Sequence, residues 1–217
     1  MTANQKIKVL TQNNEDREWY PTTDEILSAM NNDLHFLFTK GNLAGSGRNR
    51  KDKFFDYNWN HDRETGKDVY AYSVKTFLDV GAGDGRVFGA VKGVNGDITV
   101  DKLYGIEIAQ TQADDLINRD VFIIGRDFFK TTLIDKRYSV IFSNPPYSVY
   151  VPWVQKLFDE ANFGVMYLVL PARWETGVGK HPIAELEEAK ELKLIFNCGF
   201  FTEHFLQFIE HCFSSKK

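Results

Sequence analysis

The chain has 217 residues, of which 43% are hydrophobic, enough apolar material for one large domain with a well-formed core. Its net charge is −4, and it contains no apolar run of about 18 residues that would span a membrane. The first residues are polar and lack the apolar region of a signal peptide, so we expect a cytoplasmic protein. Cys198 and Cys212 show no metal-binding spacing, so we expect free thiols and no metal.

The N-terminal part divides into a tail and the start of a helix. Residues 1–16 are polar and predict a poorly ordered tail, so we place the domain at residues 17–217. Pro21 is followed by two threonines and then by Asp24 and Glu25, ahead of an apolar stretch. Because acidic side chains in the first turn interact favourably with the helix dipole, this pattern predicts a helix N-terminus.

Residues 41–68 contain four glycines among charged and aromatic residues and show little periodicity, which predicts a long loop or a small insertion. Between residues 40 and 67, seven lysines and arginines stand against four acids, a local charge of +3 in an acidic chain. Basic residues interleaved with Tyr57 and Trp59 are typical of nucleic-acid contacts, although a solvated charged loop has the same composition. The candidate nucleic-acid contacts are Arg48, Arg50, Lys51 and Lys53.

From residue 76 onward, short apolar runs alternate with segments of helical periodicity. Strands are predicted at residues 77–80, 103–107, 121–124, 138–142, 165–170 and 192–196. Helices are predicted from Val87 onward and at residues 110–118, 151–161 and 183–191. The alternation predicts an α/β fold with a mainly parallel, helix-flanked central sheet. In such a sheet ligands bind beyond the carboxyl ends of the strands, so residues at those ends are the functional candidates.

A glycine loop follows the first of these strands. Its spacing differs from the dinucleotide-binding fingerprint, because Arg86 occupies the position of the third glycine. An acidic residue directly before the loop suits a cationic ligand, such as an ammonium or sulfonium group, better than a pyrophosphate. A chance glycine turn is the structural alternative. The candidate ligand-binding residues of the loop are Asp79, Gly81, Ala82 and Gly83, with Gly85 completing the turn.

Two more acids stand at the ends of the next two strands. Glu107 follows the loop by about twenty residues, where a carboxylate can accept hydrogen bonds from both hydroxyls of a ribose. Asp127 can accept a hydrogen bond from the amino group of an adenine ring, with Phe128 packing near that ring. Ile108 adjoins the first acid and belongs to the same candidate site. Solvated strand ends and surface turns are the structural alternatives.

The tetrad Asn144-Pro145-Pro146-Tyr147 after the fourth strand is the most specific signal in the chain. Two consecutive prolines hold the backbone extended and remove two N–H donors, so the carbonyls of the segment are available as acceptors. The Asn144 side-chain oxygen and the Pro145 carbonyl can each accept one hydrogen of a substrate NH₂ group, while Tyr147 stacks on the planar group that carries it. The tetrad therefore predicts methylation of a planar amine by alignment, without a strong base.

On these motifs the chain resembles the class I S-adenosylmethionine (SAM)-dependent methyltransferases, in particular the N6-adenine DNA amino-methyltransferases. The resemblance implies a Rossmann-like class I methyltransferase fold, SAM as the cofactor, DNA as the partner, and a bacterial or phage-encoded enzyme. It assigns the glycine loop to the methionine part of SAM, Glu107 to the ribose, Asp127 with Phe128 to the adenine ring, and the tetrad to catalysis.

The segment from Trp19 to Thr23 is similar to a further motif of that family, which contacts the methionine part of SAM. Its position before the glycine loop resembles the gamma order of motifs, which implies a target-recognition region at the C-terminus. The resemblance thus adds Trp19, Tyr20, Pro21, Thr22 and Asn144 to the candidate cofactor-binding residues.

The chain departs from the family at its C-terminal part, where only about forty-five residues follow Arg173-Trp174. Recognition of the target then falls to residues 41–68 or to a separate specificity subunit, or the enzyme has little sequence specificity. Adenine in RNA and a protein glutamine are alternative substrates, because enzymes acting on them also carry such a tetrad. A non-catalytic SAM-binding subunit is the third possibility, which the intact tetrad disfavours.

Overall fold

The computed structural model describes residues 3–13, 18, 20–39, 49–51, 54–62, 66–91, 97–171 and 197–198, with backbone alone at 3, 4, 6, 49–51, 58–62, 67–70 and 197–198. The helices are α1 (Ala3–Gln12), α2 (Asp24–Thr39), α3 (Gln110–Ile117) and α4 (Tyr150–Glu160), with a 3-10 turn at Phe128–Lys130. The strands are β1 (Asn49–Lys51), β2 (Phe55–Asp62), β3 (Lys67–Val74), β4 (Phe77–Val80), β5 (Ile98–Val100), β6 (Leu103–Ile106), β7 (Phe122–Gly125), β8 (Arg137–Ser143), β9 (Asn162–Leu168), β10 (Leu170–Pro171) and β11 (Asn197–Cys198).

The central sheet has five strands in the order β7-β6-β4-β8-β9, and every neighbouring pair is parallel. The chain moves outward from β4 through β6 to β7, and it then returns to the other side of β4 to form β8 and β9. This confirms the predicted Rossmann-like α/β fold with a mainly parallel central sheet. The order of the strands reverses between β4 and β8, and in open α/β sheets the ligand crevice lies at such a switch point.

Both faces of the central sheet are covered, which is why its strands are apolar on both sides. Along β4, Phe77 packs into a core with α2 and the second sheet, whereas Leu78 and Val80 pack into a core with α4. Along β8, Phe142 and Ile141 divide in the same way. Because alternate side chains of a strand point to opposite faces, β4 and β8 each contribute side chains to both cores, one on each face of the sheet.

A second sheet has the order β1-β2-β3-β5, with antiparallel pairing except between β3 and β5. Of the two alternatives for residues 41–68, the long loop is therefore wrong for the part that the structure describes, and the small insertion stays a prediction. Phe55, Tyr72 and Val74 are buried against α2 and the central sheet. Their alternation with polar residues is the signal of a half-buried strand, and the high density of charge and glycine concealed it.

Two further expectations about local structure are also wrong. Helix α1 forms within the predicted polar tail, because Ile7 and Leu10 lie one turn apart and Leu10 is buried. After the glycine loop, residues 86–90 form turns closed by bonds such as Ala90 N–H to the Val87 carbonyl, rather than a helix. Gly89 costs about 1 kcal/mol in a helix relative to alanine, which favours the turns.

The remaining expected elements fall into two groups. The helix after Pro21 and those near residues 110 and 151 are confirmed as α2, α3 and α4. The helix expected at 183–191 and the strand expected at 192–196 lie outside the described residues. Within the described part of the chain, no helix combines the length and the apolar character that a membrane span requires.

Candidate functional site

The carboxyl ends of β4, β6, β7 and β8 open into one cleft at the switch point of the central sheet. Most of the candidate residues from all four strand ends meet there, together with two from the segment before α2. The predicted residues that line the cleft are Tyr20, Thr22, Asp79, Gly81, Ala82, Glu107, Ile108, Asp127, Phe128, Asn144 and Pro146. The structure therefore brings together side chains that are up to 126 residues apart, while their chemical roles stay predictions.

A few candidates lie beside the cleft or elsewhere. Gly83 forms the middle of the glycine loop, and Pro145 is buried between two lining residues of the tetrad. Pro21 and Tyr147 are half-buried next to lining residues. Trp19 lies outside the described residues, as do Arg48 and Lys53, and the side chains of Arg50 and Lys51 in β1 are not described either.

The glycine loop is held close to the end of β6. The N–H groups of Gly81 and Ala82 donate to the Ile106 carbonyl at 2.9 and 3.1 Å. Gly81, Gly83 and Gly85 all have positive φ angles, of 82°, 53° and 69°. A Cβ atom at Gly85 would also lie 2.4 Å from Leu116 Cδ2, so this position requires glycine both for its backbone conformation and for its contact with α3.

Glu107 links the loop to the next strand end through both of its carboxylate oxygens. Oε2 accepts the N–H of Gly83 at 2.7 Å, and Oε1 accepts the N–H of Ala109 at 2.8 Å. Burial raises the pKa of Glu107, and these backbone hydrogen bonds oppose that rise. The carboxylate thus shapes the loop, and each of its oxygens keeps a second lone pair for a ligand.

Asp79 is the most unusual group of the cleft. It is only 1% exposed, and neither of its carboxylate oxygens has a hydrogen-bond partner among the described residues. Burial holds its pKa well above the usual range, and the nearby carboxylates of Glu107 and Asp84 add to the rise. A buried carboxylate without partners is costly, and a cationic ligand would satisfy it.

Hydrogen bonds of Ser143, the last residue of β8, hold the start of the tetrad in place. The buried Ser143 hydroxyl donates to the Val80 carbonyl at 2.8 Å and accepts the indole N–H of Trp153 at 3.0 Å. This chain of hydrogen bonds links β4, β8 and α4 directly below Asn144. The peptide that begins the tetrad is therefore fixed relative to the glycine loop.

Glu18 and residues 20–22 form a strap that crosses in front of the tetrad. The Asn144 side-chain NH₂ group donates to the Tyr20 carbonyl at 3.1 Å and to Thr22 Oγ1 at 3.5 Å. Glu18 Oε2 accepts the N–H of Ser148 at 3.1 Å. Because the NH₂ group of Asn144 donates to the strap, its Oδ1 atom is the part of the amide that can accept a hydrogen bond from a ligand.

Arg86 connects the strap to the glycine loop. Its Nη1 atom donates to the Thr22 carbonyl at 3.1 Å. Its Nε and Nη2 atoms bind the two carboxylate oxygens of Asp84 at 2.9 and 2.6 Å. Arg86, which stands where the dinucleotide fingerprint has its third glycine, therefore links the strap to the glycine loop by hydrogen bonds.

An aromatic wall closes the side of the cleft below β7. Phe128 and Trp153 have ring centroids 4.5 Å apart, and Phe129 meets the indole edge-on at 5.6 Å. The sequence analysis missed Phe129 and Trp153 as cleft residues. Trp153 lies on the apolar face of α4, and its spacing from Tyr150 and Leu157 indicates a buried helix face without showing which ring reaches a ligand.

Asp127 has a structural role in addition to its place in the cleft. Its carboxylate caps the 3-10 turn by accepting the N–H of Phe129 at 3.0 Å, and it pairs with Lys130 at 3.1 Å. These contacts lower the pKa of Asp127, the bond to Lys130 contributing most. The group therefore stays ionised and orients Phe128 and Phe129 toward the cleft.

No family model matches the chain, and no curated protein matches it significantly. Similar solved structures include the 23S rRNA methyltransferase ErmE (TM-score 0.37, 16% identity, 48% of this chain and 43% of that one). Another is the plantazolicin methyltransferase BpumL in complex with a monoazolic desmethylPZN analog and SAH (TM-score 0.42, 16% identity, 79% of this chain and 54% of that one). A third is a SAM-dependent methyltransferase from Clostridium acetobutylicum (TM-score 0.35, 11% identity, 46% of this chain and 44% of that one). The chain spans about half the length of these proteins. At TM-scores below 0.5 these likenesses assign it no activity or substrate, so function must be argued from the cleft.

Proposed function

We propose that the protein transfers a methyl group from SAM to the exocyclic N6 amine of adenine in DNA. One observation carries the proposal: the amide of Asn144 and the buried carboxylate of Asp79, which has no hydrogen-bond partner among the described residues, line the same cleft. The first suits a substrate NH₂ group and the second suits a cation. A sulfonium amino acid as methyl donor and a planar amine as acceptor satisfy both.

The residues present fit SAM as the bound cofactor, whose sulfonium supplies an activated methyl group. Asp79 is the partner for the ammonium of its methionine part, because neither oxygen of this buried carboxylate has a hydrogen-bond partner among the described residues. Glu107 has lone pairs left for the ribose hydroxyls. Phe128 and Trp153 offer apolar faces beside the ends of β7 and β8, where a planar purine would pack.

At the other end of the cleft, Asn144 and Pro145 align the amine. Asn144 Oδ1 and the Pro145 carbonyl each accept one N–H of the substrate, which directs the nitrogen lone pair away from the ring and toward the methyl carbon. The nitrogen forms a bond to that carbon while the carbon–sulfur bond breaks and its electron pair passes to sulfur. The extra proton then leaves the nitrogen for water, so no strong base is needed.

The choice of DNA rests on the similarity of the strap to a motif of DNA methyltransferases and on the basic segment that includes β1. An adenine in a duplex must leave its stack to reach the tetrad, at a cost of a few kcal/mol. Single-stranded targets, which avoid this cost, are therefore favoured. A separate specificity subunit is the alternative source of target recognition.

The test is to incubate the purified protein with methyl-labelled SAM and unmethylated single- and double-stranded DNA. The digested nucleosides are then separated and identified by mass spectrometry. N6-methyladenine is the expected product. Label found only in parallel reactions with RNA or with a glutamine-containing peptide would contradict the DNA assignment, and SAM binding without any transfer would point to a non-catalytic subunit.

We predict that the triple variant Arg48→Ala, Arg50→Ala, Lys51→Ala weakens DNA binding and flattens its dependence on salt. Each cation that no longer neutralises a phosphate should lower the slope of log K against log salt by about 1. Fluorescence anisotropy with a labelled oligonucleotide at several salt concentrations measures both quantities.

The matched control for this prediction replaces Lys102, Lys136 and Arg137 by alanine. These exposed cations flank the amino ends of β6 and β8, at the opposite edge of the sheet from the cleft. Equal slopes in the two triple variants would refute the assignment of the basic segment to DNA.

A further inference from the structure

The ring of Tyr20 lies against the ring of Tyr147, the residue to which substrate stacking is assigned. The two centroids are 5.6 Å apart, and the ring planes are inclined by 18°. Tyr20 is 58% exposed, so its ring covers Tyr147 without being buried itself. The same residue accepts the Asn144 NH₂ group through its carbonyl. One strap residue therefore contacts two members of the tetrad.

We infer that Tyr20 and Tyr147 are the two walls of a slot for a planar aromatic base, with Tyr20 covering Tyr147 until the base enters. This rests on the proposed function and narrows it. Two nearly parallel tyrosine rings present extended apolar faces, which a purine ring fills on both sides. The primary amide of a glutamine has no ring to occupy such a slot, so the pair selects for a base.

The spacing of the rings requires Tyr20 to move when a base enters. Stacked rings are separated by about 3.4 Å, so a base with a ring on each side needs about 7 Å between the walls. The centroids are only 5.6 Å apart, and nearly parallel planes cannot be farther apart than their centroids, so the slot is closed in this structure. Rotation of the exposed Tyr20 side chain about its own bonds opens it, a motion that takes picoseconds to nanoseconds at an exposed residue.

The backbone of the strap stays in place during this motion. The Tyr20 carbonyl is bonded to Asn144, and the Thr22 carbonyl is bonded to Arg86, which is itself held by Asp84. The opening is therefore confined to one side chain. Asn144 keeps its orientation while the ring above Tyr147 moves, so entry of the base does not disturb the acceptor for its amine.

The test is steady-state kinetics of Tyr20→Ala and Tyr20→Phe with an adenine-containing oligonucleotide. Loss of one base–aromatic stack should raise the KM for the oligonucleotide roughly 10-fold in Tyr20→Ala. Tyr20→Phe keeps the ring and should restore a KM within about twofold of the wild type. The dissociation constant for SAM, measured by calorimetry, should stay within about twofold in both variants, because the Tyr20 ring stacks on Tyr147, the residue assigned to the substrate.

The control is Phe36→Ala, which removes an exposed aromatic ring from α2 outside the cleft lining. An unchanged or lower KM in Tyr20→Ala, with adenine still methylated, overturns the slot and leaves the proposed function intact. If the wild-type protein methylates a glutamine peptide, or methylates nothing, the proposed function is wrong, and the proposal of the slot is then wrong as well. A loss of SAM affinity in Tyr20→Ala would assign the ring to the cofactor instead.

Discussion

Asn144→Ala is expected to lower the rate of methyl transfer by about 10²–10³-fold, the range found when one preorganised hydrogen-bonding group of a catalytic site is removed. The variant loses Oδ1, the acceptor that aligns the amine, and it also loses the NH₂ group that joins the tetrad to the strap. The measurement is single-turnover transfer of labelled methyl to DNA, with calorimetry for SAM binding in the same preparation.

The affinity for SAM should change only slightly in this variant, because the proposed cofactor contacts of Asp79, Glu107 and the aromatic wall remain. Asn162→Ala is the matched control, since it removes an exposed asparagine at the amino end of β9. Transfer at a near-normal rate in Asn144→Ala would show that the tetrad has another role. A parallel collapse of SAM affinity would mean that Asn144 serves mainly to hold the cofactor.

Asp79→Asn is expected to weaken SAM binding roughly 10- to 100-fold, the scale of one hydrogen bond to a charged group. The variant keeps the shape of the side chain and removes its ability to become an anion. In the free protein the pKa of Asp79 is raised, chiefly by burial. A bound ammonium lowers that pKa, so binding releases a proton and the wild-type affinity rises with pH until the raised pKa is passed.

In Asp79→Asn this part of the pH dependence should disappear, which calorimetry at several pH values between 5 and 9 would reveal. Asp135→Asn, an exposed substitution outside the cleft lining, serves as the control. Equal affinity and an equal pH profile in Asp79→Asn and the wild type would contradict the pairing of Asp79 with the cofactor.

The same carboxyl group predicts the pH dependence of stability without ligand. The pKa of Asp79 is higher in the folded protein than in the unfolded chain, where an aspartate titrates near pH ~4. Its contribution to the free energy of unfolding is therefore fully present below about pH 4 and is lost as the pH rises through the folded pKa. Between pH 5 and 8, the free energy of unfolding measured with urea should decline less for Asp79→Asn than for the wild type. A steeper decline in the variant would contradict the raised pKa of Asp79 in the folded protein.

The fold class and the position of most of the candidate site follow from local patterns in the sequence. The strands β4, β6, β7 and β8 are short apolar runs, and such runs alternating with helices imply a parallel sheet. Because the carboxyl ends of parallel strands share one edge, Asp79, Glu107, Asp127 and Asn144 were expected to meet. These are local patterns joined by one general rule of topology, and both can be read along the chain.

The contacts between side chains of the site, in contrast, could not be predicted before the structure was known. Trp153 bonds to Ser143 across the gap between a helix and a strand, Asn144 bonds to a strap residue 124 positions earlier, and Tyr20 stacks on Tyr147. Such contacts depend on the relative positions of packed helices and strands, and these positions cannot be read from the spacing of residues along the chain. The environment of Asp79 is a further example of a feature that the sequence does not show. Its carboxylate has no hydrogen-bond partner among the described residues because of the way in which the folded elements pack around it.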